Sequence, residues 1–223
     1  MRGVLSAVLA AAVAPAAASA AVRADSGATP AFTLEEITAT RTLGHFDLSP
    51  SGRQAAFVLA GFYFGFPVVP RFGEDNNVRV VSLESGEITQ VTTGAAPKTH
   101  PRFSPDGGRV LFESEGDLFV AVVATGATHR VTTHGSGDSD GSWSPDGRRV
   151  VFVSERGGRT DLWIASAEGE RHGLDRLTDD PGREEDPQWS PDGRWVAFTA
   201  RREGEHYYAR GIHRVPATGG AVE

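Results

Sequence analysis

The tetrapeptide Ser-Pro-Asp-Gly occurs at residues 104–107, 144–147 and 190–193, and a variant, Ser-Pro-Ser-Gly, occupies 49–52. Their starts lie 55, 40 and 46 residues apart. Each copy follows a bulky apolar residue (Leu48, Phe103, Trp143, Trp189) and precedes an alternating run such as Arg109-Val110-Leu111-Phe112. A unit of that length cannot bury both of its faces alone, so successive copies must stack, and the period is that of a propeller blade. Proline sets φ at the second position of a type I turn, aspartate tolerates the third, and glycine accepts the unusual backbone that follows. The motif is therefore a hairpin device, and its spacing counts blades.

The fold class expected is all-β: a β-propeller of four-stranded antiparallel blades, three complete and a fourth partial, preceded by a short helix. The blades fall at about 45–94, 99–134, 139–182 and 185–223. In the second, strands are expected at 101–103, 109–114, 117–123 and 128–132. The fourth supplies only three, at 188–189, 195–200 and 211–215, before the turn at 217–220. Propellers close with roughly four to eight blades and leave no bare edge, so the chain is expected to be the front of a longer one.

Residues 1–20 carry a single charge, Arg2, then a run of apolar and small residues and an Ala18-Ser19-Ala20 step, the pattern of a secretory signal. Pro15 and the shortness of the run argue against a spanning helix. Export to the periplasm or medium follows, with no membrane span once the signal is removed. Residues 21–44 read as a linker with a short helix from Leu34, where Thr33 and Glu36 make a capping box and Phe32 and Ile37 fall at the staple positions. Without Arg2 the formal charge of −7 becomes −8, which disfavours nucleic acid and anionic membranes as partners. Cysteine is absent, so thiol catalysis, thiolate metal sites and disulfides are excluded. No cofactor motif is present, and the oligomeric state is open.

Residues 137–141 match the Gly-x-Ser-x-Gly elbow literally, but an elbow needs a strand before its serine and a helix after it. Here a β-hairpin follows, so Ser139 is assigned to an inter-blade loop and no catalytic residue is assigned. Asp138 and Asp140 are a fragment of a calcium loop that lacks its distal ligands, and a solvated turn is the expectation there. His45, His100, Asp140 and Asp186 each stand four residues before a repeat serine. They are expected to tie one blade's entry to the next by hydrogen bonds, and to lie too far apart around the axis for a metal ring. Glu184, Glu185 and Asp186 form an acidic cluster, read as a solvated charge run, with a substrate's amino terminus or an arginine as the functional alternative. An insertion at 61–72 gathers five aromatics. It reads as a hairpin folded on its own sheet, or as a contact patch. Phe62, Tyr63, Phe64, Phe66, Glu184 and Glu185 are the candidate contacts to substrate or partner.

The pattern Pro-x-Trp-Ser-Pro-Asp-Gly-Arg-x-Val-x-Phe at 187–198, with variants around Phe103 and Trp143, resembles the WD-like repeats of TolB and of the prolyl oligopeptidase family. The likeness covers residues 45–223. The opening, 32–37 followed by 45–53, looks like the start of secreted dipeptidyl- and acylaminoacyl-peptidases. That resemblance implies a propeller that filters access to an α/β-hydrolase domain bearing the catalytic triad. No residue here matches the triad motif in context. The chain would then be the non-catalytic, substrate-gating segment of a serine peptidase, its partners a peptide substrate and the hydrolase domain. The alternatives are a TolB-like periplasmic module that docks envelope proteins, and a complete small propeller with its own hydrolase or lectin activity.

Overall fold

The computed structural model describes residues 41–63, 66–68, 76–179, 182–201 and 210–223. Blade 1 comprises β1 (Arg41–Leu48), β2 (Gln54–Tyr63), β3 (Phe66–Val68), β4 (Arg79–Ser82) and β5 (Ile88–Gln90). Blade 2 comprises β6 (Thr99–Phe103), β7 (Arg109–Ser114), β8 (Asp117–Val122) and β9 (Thr128–Arg130). Blade 3 comprises β10 (Asp138–Trp143), β11 (Arg149–Ser154), β12 (Asp161–Ser166) and β13 (Leu174–Arg176), and blade 4 β14 (Arg183–Trp189), β15 (Trp195–Arg201) and β16 (Gly211–Pro216). Each blade is an antiparallel meander in which neighbours in sequence pair, β3 being a short return on β2. This is the all-β, bladed architecture expected from the repeat. The expected signal and helix fall outside the described residues, whose helices include none long and apolar enough to cross a membrane. After β16 the chain turns back, and Arg214 and Glu223 exchange both backbone hydrogen bonds at 2.9 Å, the geometry of a fourth strand beginning to pair.

Because side chains alternate along a strand, each blade offers one face to the blade before and one to the blade after. Ala56, Val58 and Val80 of blade 1 meet Phe103, Val110 and Phe112 of blade 2. Leu111, Leu118 and Val120 meet Trp143, Val150 and Phe152 of blade 3, and Val151, Leu162 and Ile164 meet Val196, Phe198 and Val215 of blade 4. The core is thus divided into slabs between sheets, and the first strands β1, β6, β10 and β14 adjoin one another as an inner wall.

The repeat serine proves to organise its turn. Ser104 Oγ donates to Asp106 Oδ1 at 2.5 Å and accepts from the Arg109 N–H at 2.9 Å, while the Gly107 N–H closes on Ser104 O at 2.8 Å. Gly107 sits at φ +73°, where a side chain would be strained. Hydrogen bonds from the Ser104 hydroxyl and the Gly108 N–H hold the Asp106 carboxyl below the usual range, and the same arrangement recurs at Asp146. A second device joins blades. The Arg109 guanidinium lies 4.8 Å from the Trp143 ring centre and Arg149 lies 4.8 Å from Trp189, each arginine reaching from one blade to the aromatic that precedes the next turn. Arg149→Ala is expected to lower stability by about 1 kcal/mol, with Arg149→Lys recovering part of it. Urea unfolding followed by tryptophan fluorescence checks this.

A third device is a polar pair repeated down the blades. Thr92, Thr132 and Thr178, just after the fourth strands, accept from the backbone N–H groups of Val78, Leu118 and Leu162 at 2.9–3.0 Å. Asn77, Asp117 and Asp161 precede those N–H groups, and Asp117 and Asp161 take an ion pair from Arg130 and Arg176 of the outer strand. Each of these three N–H groups thereby finds an acceptor within its own blade.

Candidate functional site

The inner wall carries a repeated irregularity. In every blade two residues of the first strand oppose one of the second: the register slips between Leu43 and Phe46, Thr99 and Arg102, Ser139 and Ser142, and Glu185 and Gln188. These are β-bulges, which bend a strand and re-aim its side chains. In blades 2, 3 and 4 the first bulged residue is His100, Asp140 or Asp186, at φ 48°, 54° and 53°. Aspartate and histidine are among the few side chains that adopt this left-handed region, which gives the recurrence of His and Asp four residues before each serine a backbone cause. The residues opposite the bulges in those blades are Phe112, Phe152 and Phe198, all buried.

The bulges bring polar groups of successive blades together. The rings of His45 and His100 lie 3.8 Å apart, centre to centre, and His100 Nδ1 is 2.9 Å from Glu113 Oε2. The Asp140 N–H donates to Glu113 Oε1 at 2.8 Å. The Asp140 N–H bond to Glu113 ties blade 3 to blade 2 as expected, while blade 1 meets blade 2 at these positions by ring contact and not by a hydrogen bond. The expectation that these positions stand far apart is corrected for His45 and His100, whose rings touch. Among the described residues no group of three or more His, Asp or Glu is placed to hold a metal.

The electrostatics follow from this contact. The hydrogen bond to Glu113 raises the His100 pKa, against the opposing effect of burial. Burial and the neighbouring His100 charge lower that of His45. Burial works against ionisation of Glu113, but its bonds to His100, the Asp140 N–H and Thr99 outweigh it and hold the carboxyl below the usual range. Burial, then the charges of Glu113 and Asp186, push the Asp140 carboxyl up.

Beside the linked residues a cleft of about 480 Å³ opens between the ends of blades 2, 3 and 4, lined among others by Glu113, Glu115, Asp140, Glu155, Arg183 and Glu185. Its acidic wall raises the local concentration of cations. Glu185, a predicted contact residue, lies on this wall and pairs with Arg183 at 3.0 Å and with Arg210. Glu184 points the other way. It is 0% exposed, its carboxylate accepting from the Leu162 N–H at 3.1 Å and from Thr178 Oγ1, so the solvated run expected at 184–186 is instead split by strand alternation between core and cleft. Phe62 and Tyr63 of β2 pair with Pro67 and Phe66 of β3 in the hairpin that carries the insertion; Phe64 lies outside the described residues.

The Gly-x-Ser-x-Gly match is also relocated. Asp138, Ser139 and Asp140 belong to strand β10, not to a loop. Asp138 is 2% exposed and pairs with the buried Arg156 at 2.9 Å, so the solvated turn expected there is a packed strand end. Gly141 is required by packing, since a Cβ at that position would lie 2.8 Å from Leu111 Cδ2 and 3.2 Å from Leu118 of the preceding blade. One of the motif's three fixed positions, Gly141, is therefore imposed by the blade interface. Sequence reasoning did not find Glu113 or Arg156 as members of polar clusters; each follows a repeat turn by several residues, with no motif of its own.

Residues 74–173 match the TolB beta propeller domain family. No curated protein matches the sequence. Among solved structures, TolB from Acinetobacter baumannii superposes with a TM-score of 0.61 at 20% identity, over 81% of this chain and 42% of that one. A putative TolB from Agrobacterium tumefaciens gives 0.57 at 19% identity, over 82% and 80%. A puromycin-hydrolyzing peptidase of Mycobacterium tuberculosis gives 0.59 at 17% identity, over 81% and 30%. The chain thus spans less than half of the Acinetobacter TolB and under a third of the mycobacterial peptidase. Sequence repeat, bladed sheets, family match and superposition agree that this chain is, by fold, a TolB-like β-propeller.

Proposed function

We propose that this chain is the exported, non-catalytic propeller of a prolyl oligopeptidase-family serine peptidase, and that it admits and holds peptide substrate for a hydrolase domain elsewhere in the protein. The observation that carries this reading is the acidic cleft at the inner wall, where Glu185 and Asp140 face a space of peptide-segment size. A peptide amino terminus or basic side chain is the complementary ligand for such a wall. The superposition on the mycobacterial peptidase supports the same reading. Residues 1–20, with their signal-like pattern, would direct the protein out of the cytoplasm.

The test uses the whole encoded protein and aminoacyl and dipeptidyl p-nitroanilides. Glu185→Gln and Asp140→Asn are expected to raise KM several-fold with kcat unchanged, because they remove uniform binding and touch no reacting atom. Absence of hydrolysis, or a kcat that falls with KM constant, overturns the reading. The Agrobacterium TolB, of which this chain spans 80%, favours a second reading as a docking module for envelope proteins. Under it the protein hydrolyses none of these substrates and forms a stable complex with one envelope protein, lost on substitution at the inner wall.

A further inference from the structure

We propose that His45, His100, Glu113 and Asp140 form a proton-operated clasp that holds blades 1, 2 and 3 together at the rim of the cleft and releases blade 1 on acidification. The geometry is a linear chain. The His45 ring, on β1, rests on the His100 ring, on β6, at 3.8 Å. His100 Nδ1 meets one oxygen of Glu113, on β7, and the other oxygen takes the backbone N–H of Asp140, on β10. Every link joins a different first or second strand, and two of the residues, Glu113 and Asp140, also line the cleft.

The clasp has one carboxylate, Glu113, bonded to one imidazole, His100, whose ring meets the second imidazole, His45. A protonated His100 satisfies Glu113, and a neutral His45 can stack on it. A second proton, on His45, brings two cations into ring contact, with the Arg102 guanidinium adding to the repulsion and Glu113 already engaged. The other charged groups facing the chain are Asp186 and Glu185, which act on Asp140 from blade 4. The signs are opposite for the two histidines. His100, raised by its partner, contributes stability that is full below the ordinary imidazole value of 6.5 and is lost as pH rises through its higher folded-state value. His45, lowered by burial and by His100, contributes stability that is present above 6.5 and is lost as pH falls through its lower folded-state value. The clasp is therefore tightest near pH 6.5, where both contributions are full, and acid opens it at the β1–β6 contact. An opened β1 widens the inner wall next to Glu113, so the cleft rim responds to the same proton.

The decisive measurement is amide hydrogen exchange of the whole protein at pH 7 and pH 5, corrected for the intrinsic pH dependence of exchange. The amides of Phe46 and Phe103, the latter donating to Asp47 Oδ2 at 2.8 Å across the β1–β6 contact, are expected to lose protection by roughly tenfold. In His45→Gln, which removes the second cation and keeps a planar polar side chain, they should change less than about threefold on the same scale. Equal protection of the wild-type amides at the two pH values overturns the clasp, as does an undiminished loss in His45→Gln. Should that variant fail to fold, imidazole titration of the wild type by NMR decides: one of the two rings titrating above 6.5 and the other below supports it, and both titrating at 6.5 overturns it.

Discussion

Phe152→Ala is expected to destabilise the protein by about 3–5 kcal/mol, the cost of emptying a large, fully buried aromatic site. Phe152 is 0% exposed, stands at the centre of the slab between blades 2 and 3, and is the single residue opposite the Asp140–Gly141 bulge. Its neighbours cannot close the void freely. Leu111 and Leu118 already fill the space where a Gly141 side chain would stand, Val150 lies in the same slab, and the Arg156 guanidinium rests 5.3 Å from the ring centre. With a typical urea dependence, that loss moves the unfolding midpoint down by about 1–2 M. Loss of the ring also removes the support that fixes the Asp140 backbone, so the cleft should loosen together with the fold. Ile212→Ala is the control: Ile212 is 82% exposed on β16, and its truncation is expected to change stability by no more than about 0.5 kcal/mol. A midpoint for Phe152→Ala indistinguishable from that of Ile212→Ala would show that the blades do not stabilise one another through this slab.

Much of that slab is legible in the sequence. The repeat turn fixes where each second strand begins, and alternation after it puts Val110 and Phe112, Val150 and Phe152, and Val196 and Phe198 on one face. The Arg–Trp stacks were visible in principle, since Arg109 and Arg149 occupy the same place after their turns and Trp143 and Trp189 the same place before the next. What no local pattern shows is the bulge. Two residues opposite one is a property of the pairing between strands, and only that slip turns His100, Asp140 and Asp186 into the left-handed region and toward their neighbours. For the same reason Asp138 and Ser139, separated from the repeat serine by a Gly, look like loop until β11 is laid beside them. Glu184 and Glu185 show the converse: adjacent acids on a strand point to opposite faces, so one is in the core and one in the cleft, a split that a charge-run reading of three acids in sequence cannot make.

The second large effect concerns the buried arginine. Arg156→Met is expected to cost about 3–5 kcal/mol at neutral pH, because it strands a carboxylate that the fold has taken out of water. The Arg156 side chain is 5% exposed; it reaches Asp138 at 2.9 Å, Glu170 at 3.0 Å and Ser154 Oγ at 2.9 Å, and it lies between the rings of Phe152 and Trp163. Burial already pushes the Asp138 carboxyl up, with the charge of Arg156 among the influences that restrain it. Removing the cation lifts that restraint, so the pKa of Asp138 rises further. A carboxyl raised in the folded state favours folding most when protonated: its stability is full below the ordinary aspartate value of 3.8 and is lost as pH rises through the folded-state pKa. The deficit of Arg156→Met should therefore be largest at pH 7 and shrink as pH is lowered toward 4. Urea midpoints of variant and wild type across that range read this directly. The double variant Arg156→Met with Asp138→Asn removes both charges and should recover a large part of the loss at pH 7, since replacing a buried ion pair costs far less than breaking it. A deficit that is independent of pH and unchanged in the double variant would mean that Arg156 acts by packing between Phe152 and Trp163 alone, and that the Asp138 end of β10 is held by its strand pairing rather than by charge.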